Sequence, residues 1–417
     1  MSRRLPLLAI LLTVALVAAR VLRAPPLYDP LGAPLPPGVH LGFPVVHLLF
    51  APLFDLWDAA SMLSLRRLEW MAAGLLLVFL AWRGVLAVLR RRRDPDAGPP
   101  IGLIRELSAL LFALLGFVAF IAGGMLWHRP MVALRDVPPA FMTVDLHSHS
   151  NVSHDVMGTL MAGFDTEASR RWHRRAGYDA FFLTDHNTVA GLPAAPATEP
   201  PFVCPGIEIS SWRAHIVLLG TSDSVDRSRY GGSLEGVLTL LRESESRYGA
   251  ISIASLPEYD QNHFDHLDQL IEAGIDGFEI VNASPKAAMF SRAHRDSVTV
   301  LATARNLLLV GVSDNHGWGA TNLSWNLVRV PGWKSARNPC PQLLNQLATG
   351  GIAAVQIAER HHLENDSRWP LPLTPEAVIW ETWRSLTPLQ TVSWLFWIWV
   401  VGIVVARRLY PLAPSPT

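Results

Sequence analysis

The chain has 417 residues with 35 basic and 35 acidic side chains, so its formal net charge is zero and only 17% of positions are charged, against roughly 25% in soluble domains. Half of the residues are hydrophobic, which excludes a disordered chain and argues against a wholly soluble one. The zero balance also argues against a generally basic nucleic-acid binder, so no nucleic-acid duplex is expected as a partner.

At the N-terminus Arg3 and Arg4 precede an apolar run from Leu5 to Ala19, which reads as a signal anchor or as a signal peptide cleaved after Val17-Ala18-Ala19. Leu41 to Trp57 is interrupted by Pro44, His47, Pro52 and Asp55, so a span and a re-entrant or interfacial segment fit it equally. Trp70 to Leu89 carries only Arg83, near enough to the end to snorkel toward Arg90, Arg91, Arg92 and Arg93. Leu107 to Trp127 is free of charge over 21 residues, enough helix to cross about 30 Å of hydrocarbon. Ser385 to Ala406 is also uncharged, bounded by Arg384 and Arg407/Arg408, with Trp394, Trp397 and Trp399 suited to an interfacial belt. Four or five spans are expected: three or four within 1–130, and a C-terminal helix at 385–408.

Excess Arg marks the cytoplasmic side, so Arg90 to Arg93 are expected inside and residues 128–384 outside. The chain then reads as an integral protein of the cell (inner) membrane, with the lipid bilayer as partner and an extracytoplasmic, in a Gram-negative cell periplasmic, domain at 138–365. Cys204 and Cys340 are too few for a disulfide scaffold and lack zinc-knuckle spacing, and one structural bridge stays open if they face an oxidising compartment.

Within that domain short β-rich runs alternate with helical segments. Strands are predicted at 142–148, 179–184, 202–209, 215–220, 250–256, 277–281, 307–313 and 352–357, and helices at 166–176, 234–248, 264–273 and 287–306. The alternation predicts an α/β barrel or a doubly wound sheet, both of which place chemistry at the C-terminal ends of strands. Those ends are rich in metal-ligand types: Asp145-Leu-His147-Ser-His149, Thr184-Asp185-His186-Asn187, Gly206-Ile-Glu208-Ile-Ser210 and Ser313-Asp314-Asn315-His316. A period of two puts Asp145, His147 and His149 on one strand face. One such residue alone is more often a hydrogen-bonded structural group. Four sets at successive strand ends, mixing N and O donors, suit Zn2+, Mn2+ or Fe2+ rather than a calcium cage.

The ordered set DLHSHS, Gly-Tyr-Asp before FFLTDHNT, GIEIS and SDNH resembles the PHP (polymerase and histidinol phosphatase) domain family over residues 142 to about 360. The resemblance implies a distorted, seven-stranded, TIM-like (β/α)7 barrel flanked here by transmembrane helices, with two or three divalent metal ions (Mn2+, Zn2+ or Fe2+) at its mouth and phosphate esters as substrates. Matched by position, it makes His147, His149, Asp155, His186, Glu208, Asp314 and His316 metal ligands, and Asp185 a group that orients a ligand or water. Two departures stand out: Ser255-Leu256-Pro257 replaces the family's Ala-His-Pro, and Asn282 stands where some members have His. His215 is the residue that could compensate as a ligand. Arg213 or His215 could contact the phosphate or protonate the leaving oxygen, although a solvated loop reading suits Arg213 as well. His154 becomes a ligand if the loop shifts by one residue, and His361 and His362 read as linker residues.

The expected activity is metal-dependent phosphoric ester hydrolysis by an activated water, which requires no Ser-His-Asp triad, P-loop or cysteine nucleophile. The alternatives are hydrolysis of a C–N or C–O bond and a degenerate, non-catalytic domain that binds or senses a ligand. The expected substrate is a phosphorylated small molecule or a lipid-linked or envelope phosphate.

Overall fold

The computed structural model describes residues 7–93, 103–161, 163–256 and 264–409. Arg3, Arg4, Leu5 and Pro257 fall outside the described residues, as do the side chains of Arg90, Arg93, Arg407 and Arg408.

Twelve strands are described, β1 (Leu27–Tyr28), β2 (His40–Gly42), β3 (Ala133–Arg135), β4 (Phe141–Asp145), β5 (Ala180–Leu183), β6 (Phe202–Ser211), β7 (Ala214–Leu219), β8 (Ile251–Ala254), β9 (Gly277–Asn282), β10 (Leu308–Val312), β11 (Ser324–Arg329) and β12 (Val355–Arg360). Ten form one sheet in the order β1-β12-β11-β4-β5-β6-β7-β8-β9-β10, and β2 pairs with β3 separately. Pairs β4/β5, β5/β6, β8/β9 and β9/β10 are parallel, and the other five are antiparallel. The apolar runs of β5, β7, β8 and β10 are buried at every position, as expected of strands covered on both faces.

The sheet curls until its last strand lies beside β11. Asn326 on β11 accepts from Gly311 N (2.9 Å) and donates to Gly311 O (2.6 Å) and Val144 O (3.0 Å), so one side chain bridges the seam where described backbone ladders stop. A Cβ at Gly311 would sit 2.8 Å from Ser324 Oγ, which is why glycine stands there. The result is a curled half-barrel with mixed pairing; the seven-stranded (β/α) closure implied by the resemblance is not the arrangement these ladders draw.

Helices fill the predicted places. Thr166–Ala176 is capped by Asp165, which accepts from Ala168 N, and Leu234–Tyr248 by Ser233, which accepts from Gly236 N. A disulfide joins Cys204 on β6 to Cys340 at the start of helix Cys340–Gly350.

Among the described residues, two helices are long and apolar enough to cross a membrane, within Leu65–Val88 and Ile104–Leu126, and most of their side chains are exposed. Leu7–Val21 and Pro388–Val404 are shorter apolar helices that pack near each other and against Thr374–Ser385. Arg83 does not snorkel toward the arginine run: it forms a two-pronged ion pair with Glu106 of the neighbouring helix (2.7 and 2.5 Å). A partner one helix away meets the charge without stretching the side chain to a boundary. Leu41 to Trp57 is not one helix but the end of β2 followed by helices Val45–Leu49 and Ala51–Ser61, broken at Pro44 and Phe50. Residues before the long helices also join the domain, since β1 pairs with β12, and β2 pairs with β3.

Candidate metal centre

The centre grows from strand ends that point the same way. β4 stops at Asp145, and the segment that follows carries His147 and His149, held in place by backbone bonds His149 N to Asn315 O (3.0 Å) and Asp314 N to His147 O (3.0 Å). The i, i+2 spacing brings His147 and His149 together, while the Asp145 carboxylate is taken up by His173 Nε2 (3.0 Å), Ser313 N (3.0 Å) and His147 N (3.5 Å), the Ser313 bond tying the first and last motifs together.

His147 Nε2 lies 3.0 Å from His149 Nε2 and 3.0 Å from Glu208 Oε2, and His149 Nε2 is 3.1 Å from Asp314 Oδ1. Asp155 Oδ2 sits between His186 Nε2 (3.1 Å) and His316 Nε2 (2.6 Å). Glu208, on β6, reaches His186 Nδ1 (3.2 Å) with one oxygen and His215 Nδ1 (2.7 Å) with the other. Three groups of ligand atoms each lie within 4.8 Å: His149, Asp155, His186 and His316; His147, His149 and Asp314; and His186, Glu208 and His215. His149 and His186 belong to two groups each, so the groups form one contiguous cluster. All eight sequence-predicted metal residues are thus brought together, His215 included.

The cluster's carboxylates are held ionised by the imidazoles around them, and against its burial the same carboxylates raise His147 well above its usual value. Burial alone would raise Glu208, but His147, His215 and His186 outweigh it and hold the carboxyl well below its usual range. Asp314 is likewise held low by His147 and His316 against its burial. Burial and the neighbouring His316 charge push His149 down to about 4, so its imidazole is neutral at pH 7, the form that ligates. His316 goes the other way, to about 9, because Asp314 and Asp155 outweigh its burial. Ionised carboxylates and imidazole nitrogens crowd to within about 3 Å, with no arginine or lysine among them; a multivalent cation is what such a donor set accommodates.

Asp185 is not aimed at this cluster. It accepts from Ser150 N (2.6 Å) and Ser150 Oγ (2.8 Å), fixing the loop that carries His149, and burial pushes its carboxyl up to about 6. Arg213 is exposed at the tip of the β6–β7 hairpin, where it and Trp212 both have positive φ (54° and 48°). His154 is exposed beside the cluster, its ring 4.8 Å from that of His186, and Asp155 rather than His154 holds the ligand position. His361 binds Glu381 (2.9 Å) and His362 the Arg360 carbonyl (3.1 Å), away from the centre.

Glu279 was not singled out by the sequence. It is buried on β9, receives Ser255 Oγ (2.7 Å) and Asn282 Nδ2 (3.0 Å), and contacts His147 Nδ1 at 2.7 Å. An acidic residue inside the apolar run Gly-Phe-Glu-Ile-Val was the signal available. Ser255 and Asn282, the two departures from the family pattern, therefore hydrogen-bond to Glu279. Asn282 also approaches Asp314 Oδ2 (3.3 Å).

No family model and no curated protein matches the chain. Solved structures similar to it include a protein assigned as a metal-dependent phosphoesterase from Bifidobacterium adolescentis, with 14% identity, 42% of this chain and 88% of that one covered, and a TM-score of 0.31. An amidohydrolase from Chromobacterium violaceum with bound sulfate and no metal has 16% identity, 42% and 87% coverage, and a TM-score of 0.28. PsfC from Pseudomonas syringae has 14% identity, 65% and 99% coverage, and a TM-score of 0.37. Similarity at this level carries no functional argument.

Proposed function

We propose that the chain is a membrane-anchored, metal-dependent phosphoesterase of the PHP type, its domain lying on the extracytoplasmic face of the cell membrane. The observation that carries the reading is the meeting of His147, His149, Asp155, His186, Glu208, His215, Asp314 and His316 in one largely buried cluster. Two or three divalent ions bound there would lower the pKa of a water to about 7 and polarise the phosphoryl oxygens.

The chain's own residues supply the rest. Asp185, through Ser150, fixes the loop bearing His149 and so positions a ligand rather than touching substrate. Glu279 holds the second nitrogen of His147, setting its ring orientation. Arg213, exposed on the hairpin between Glu208 and His215, is a cation assigned to contact a phosphate entering from solvent. Hydrolysis joins the water oxygen to phosphorus and breaks the ester P–O bond, with a proton passing to the leaving oxygen.

Two long apolar helices with most side chains exposed support the anchor, since apolar surface on that scale needs lipid or protein cover. The arginine run at the end of helix Leu65–Arg93 and the Cys204–Cys340 bridge both favour the extracytoplasmic placement. The test is phosphate release from an aryl phosphate by detergent-solubilised protein with Mn2+ or Zn2+, alongside metal analysis. Metal-loaded protein inactive on a broad phosphate panel, or fewer than one ion per chain, would overturn the reading. An alkaline-phosphatase fusion after residue 384 that stays inactive would reverse the topology.

A further inference from the structure

Among the ligands, Asp155 and His316 are the most exposed, with side chains 29% and 34% accessible, so the centre opens on their side. What borders that opening is apolar. Two and five residues past Asp155 stand Met157, which ends the short helix His154–Met157, and Leu160 in the turn after it, 60% and 85% exposed. The next residue, Met161, folds back against Gly317, directly after His316, where a Cβ would come within 2.6 Å of the Met161 side chain.

The same rim reaches the end of a membrane-length helix. Trp318 packs against His128 with ring centroids 4.2 Å apart and planes tilted by 31°, and Gly319 lies so close to Met125 that a Cβ there would be 2.6 Å from its Cα. Met125, Leu126 and Trp127, the last turn of that helix and the residue after it, are themselves exposed. Exposed Arg171 sits over the Trp318 ring at 5.7 Å, and exposed Arg175 donates to His128 O (3.2 Å). Apolar tips, tryptophans and arginines side by side at the end of a spanning helix are the composition of a bilayer interface, where arginines attract anionic headgroups.

We infer that the Met157–Leu160 tip dips into an anionic bilayer surface beside the helix exit, and that the metal centre acts on a phosphate ester carried by a membrane lipid. This rests on the proposed phosphoesterase reading and names its substrate class. A lipid-borne phosphate at headgroup height would meet Asp155 and His316 without leaving the membrane, whereas a soluble ester gains nothing from an apolar rim.

The test uses full-length protein in phosphatidylcholine/phosphatidylglycerol vesicles, with phosphatidic acid and p-nitrophenyl phosphate as alternative substrates. Leu160→Asp should lower turnover of phosphatidic acid roughly tenfold or more while changing aryl phosphate hydrolysis little. Equal losses on both substrates would overturn the inference. Both native cysteines are in the bridge, so Leu160→Cys adds one free thiol for an environment-sensitive fluorophore. Quenching of that fluorophore by brominated lipids is expected, and its absence overturns the membrane contact whatever the enzyme does. Quenching with aryl phosphate hydrolysed but phosphatidic acid untouched, and no other lipid phosphate accepted, overturns the substrate half. Loss of both activities in the parent protein sinks the phosphoesterase reading instead, and the fluorophore still decides the contact.

Discussion

Two buried polar clusters lie close together in this protein and are built on opposite plans. At the junction with the long helices, Asp58 is bracketed by two arginines, with Oδ1 3.1 Å from Arg129 and Oδ2 3.0 Å from Arg360, while Ser61 and Thr321 complete the contacts. Both arginines there share the one carboxylate that the chain supplies. At the strand ends, Glu208, Asp314 and Asp155 face imidazoles instead of guanidinium groups. Guanidinium groups lock the first cluster, whereas the second gathers imidazole and carboxylate, the donor types that suit a divalent cation. Thr321 belongs to the segment that follows His316, so the closed cluster also ties the open one to the long apolar helices.

Breaking the closed cluster should have the largest effect. Asp58→Ala strands two buried guanidinium groups and is expected to destabilise the protein by about 3–5 kcal/mol, measured as the shift in thermal unfolding of the solubilised chain. An unfolding midpoint equal to the parent's would show that the arginines find other partners. Asp314→Asn combined with His316→Ala should lower phosphate release roughly 10²–10³-fold and reduce bound metal; activity equal to the parent's would remove these residues from the centre.

Glu279→Gln probes the boundary between the two plans, because Glu279 touches His147 but lies outside the ligand groups. Metal affinity should fall about 10–100-fold with the fold intact, read by competition with a chelator. Unchanged affinity would leave Glu279 a purely structural acceptor for Ser255 and Asn282.

The smallest effect is pH-dependent. Burial would raise the Asp58 carboxyl, but Arg360 and Arg129 hold it below its usual value. A depressed folded-state value contributes stability that is present above the unfolded value of about 3.9 and lost as pH falls through the folded one. The stability gap between parent and Asp58→Asn should therefore hold constant from neutral pH down to the ordinary carboxylate range and narrow only below it. A gap that closes near neutral pH would contradict the pairing.

Much of this was legible before folding. The apolar runs of β5 to β10 and the capped helices 166–176 and 234–248 sit where their periodicity placed them. β11 was missed because its Ser324 and Asn326 are polar yet buried, with Asn326 satisfied by Gly311 and Val144 on other strands, so the run does not look like a core strand. Asp145 shares its strand end with His147 and His149, yet its carboxylate is taken up by His173 and Ser313, so it stays outside the ligand groups. Glu279 and Asp58 were invisible for the same reason: an isolated acidic residue shows its partner only when another segment supplies it.

The sequence by itself determined the chemistry available: which strand ends carry imidazoles and carboxylates, and which helices are apolar enough to seek lipid. Spacing and residue type are local properties, and short-range geometry is enough to express them. Only the tertiary structure decided that His215 joins the ligands, that Ser255 and Asn282 engage Glu279, and that the open side of the centre borders an apolar rim at a helix exit. The hairpin β6–β7 brings His215 to Glu208, and neighbouring strands bring Ser255 to Glu279. The curl of the sheet joins His147 to Glu279, His149 to Asp314 and Asp155 to His316, pairs more than a hundred positions apart that no local pattern encodes.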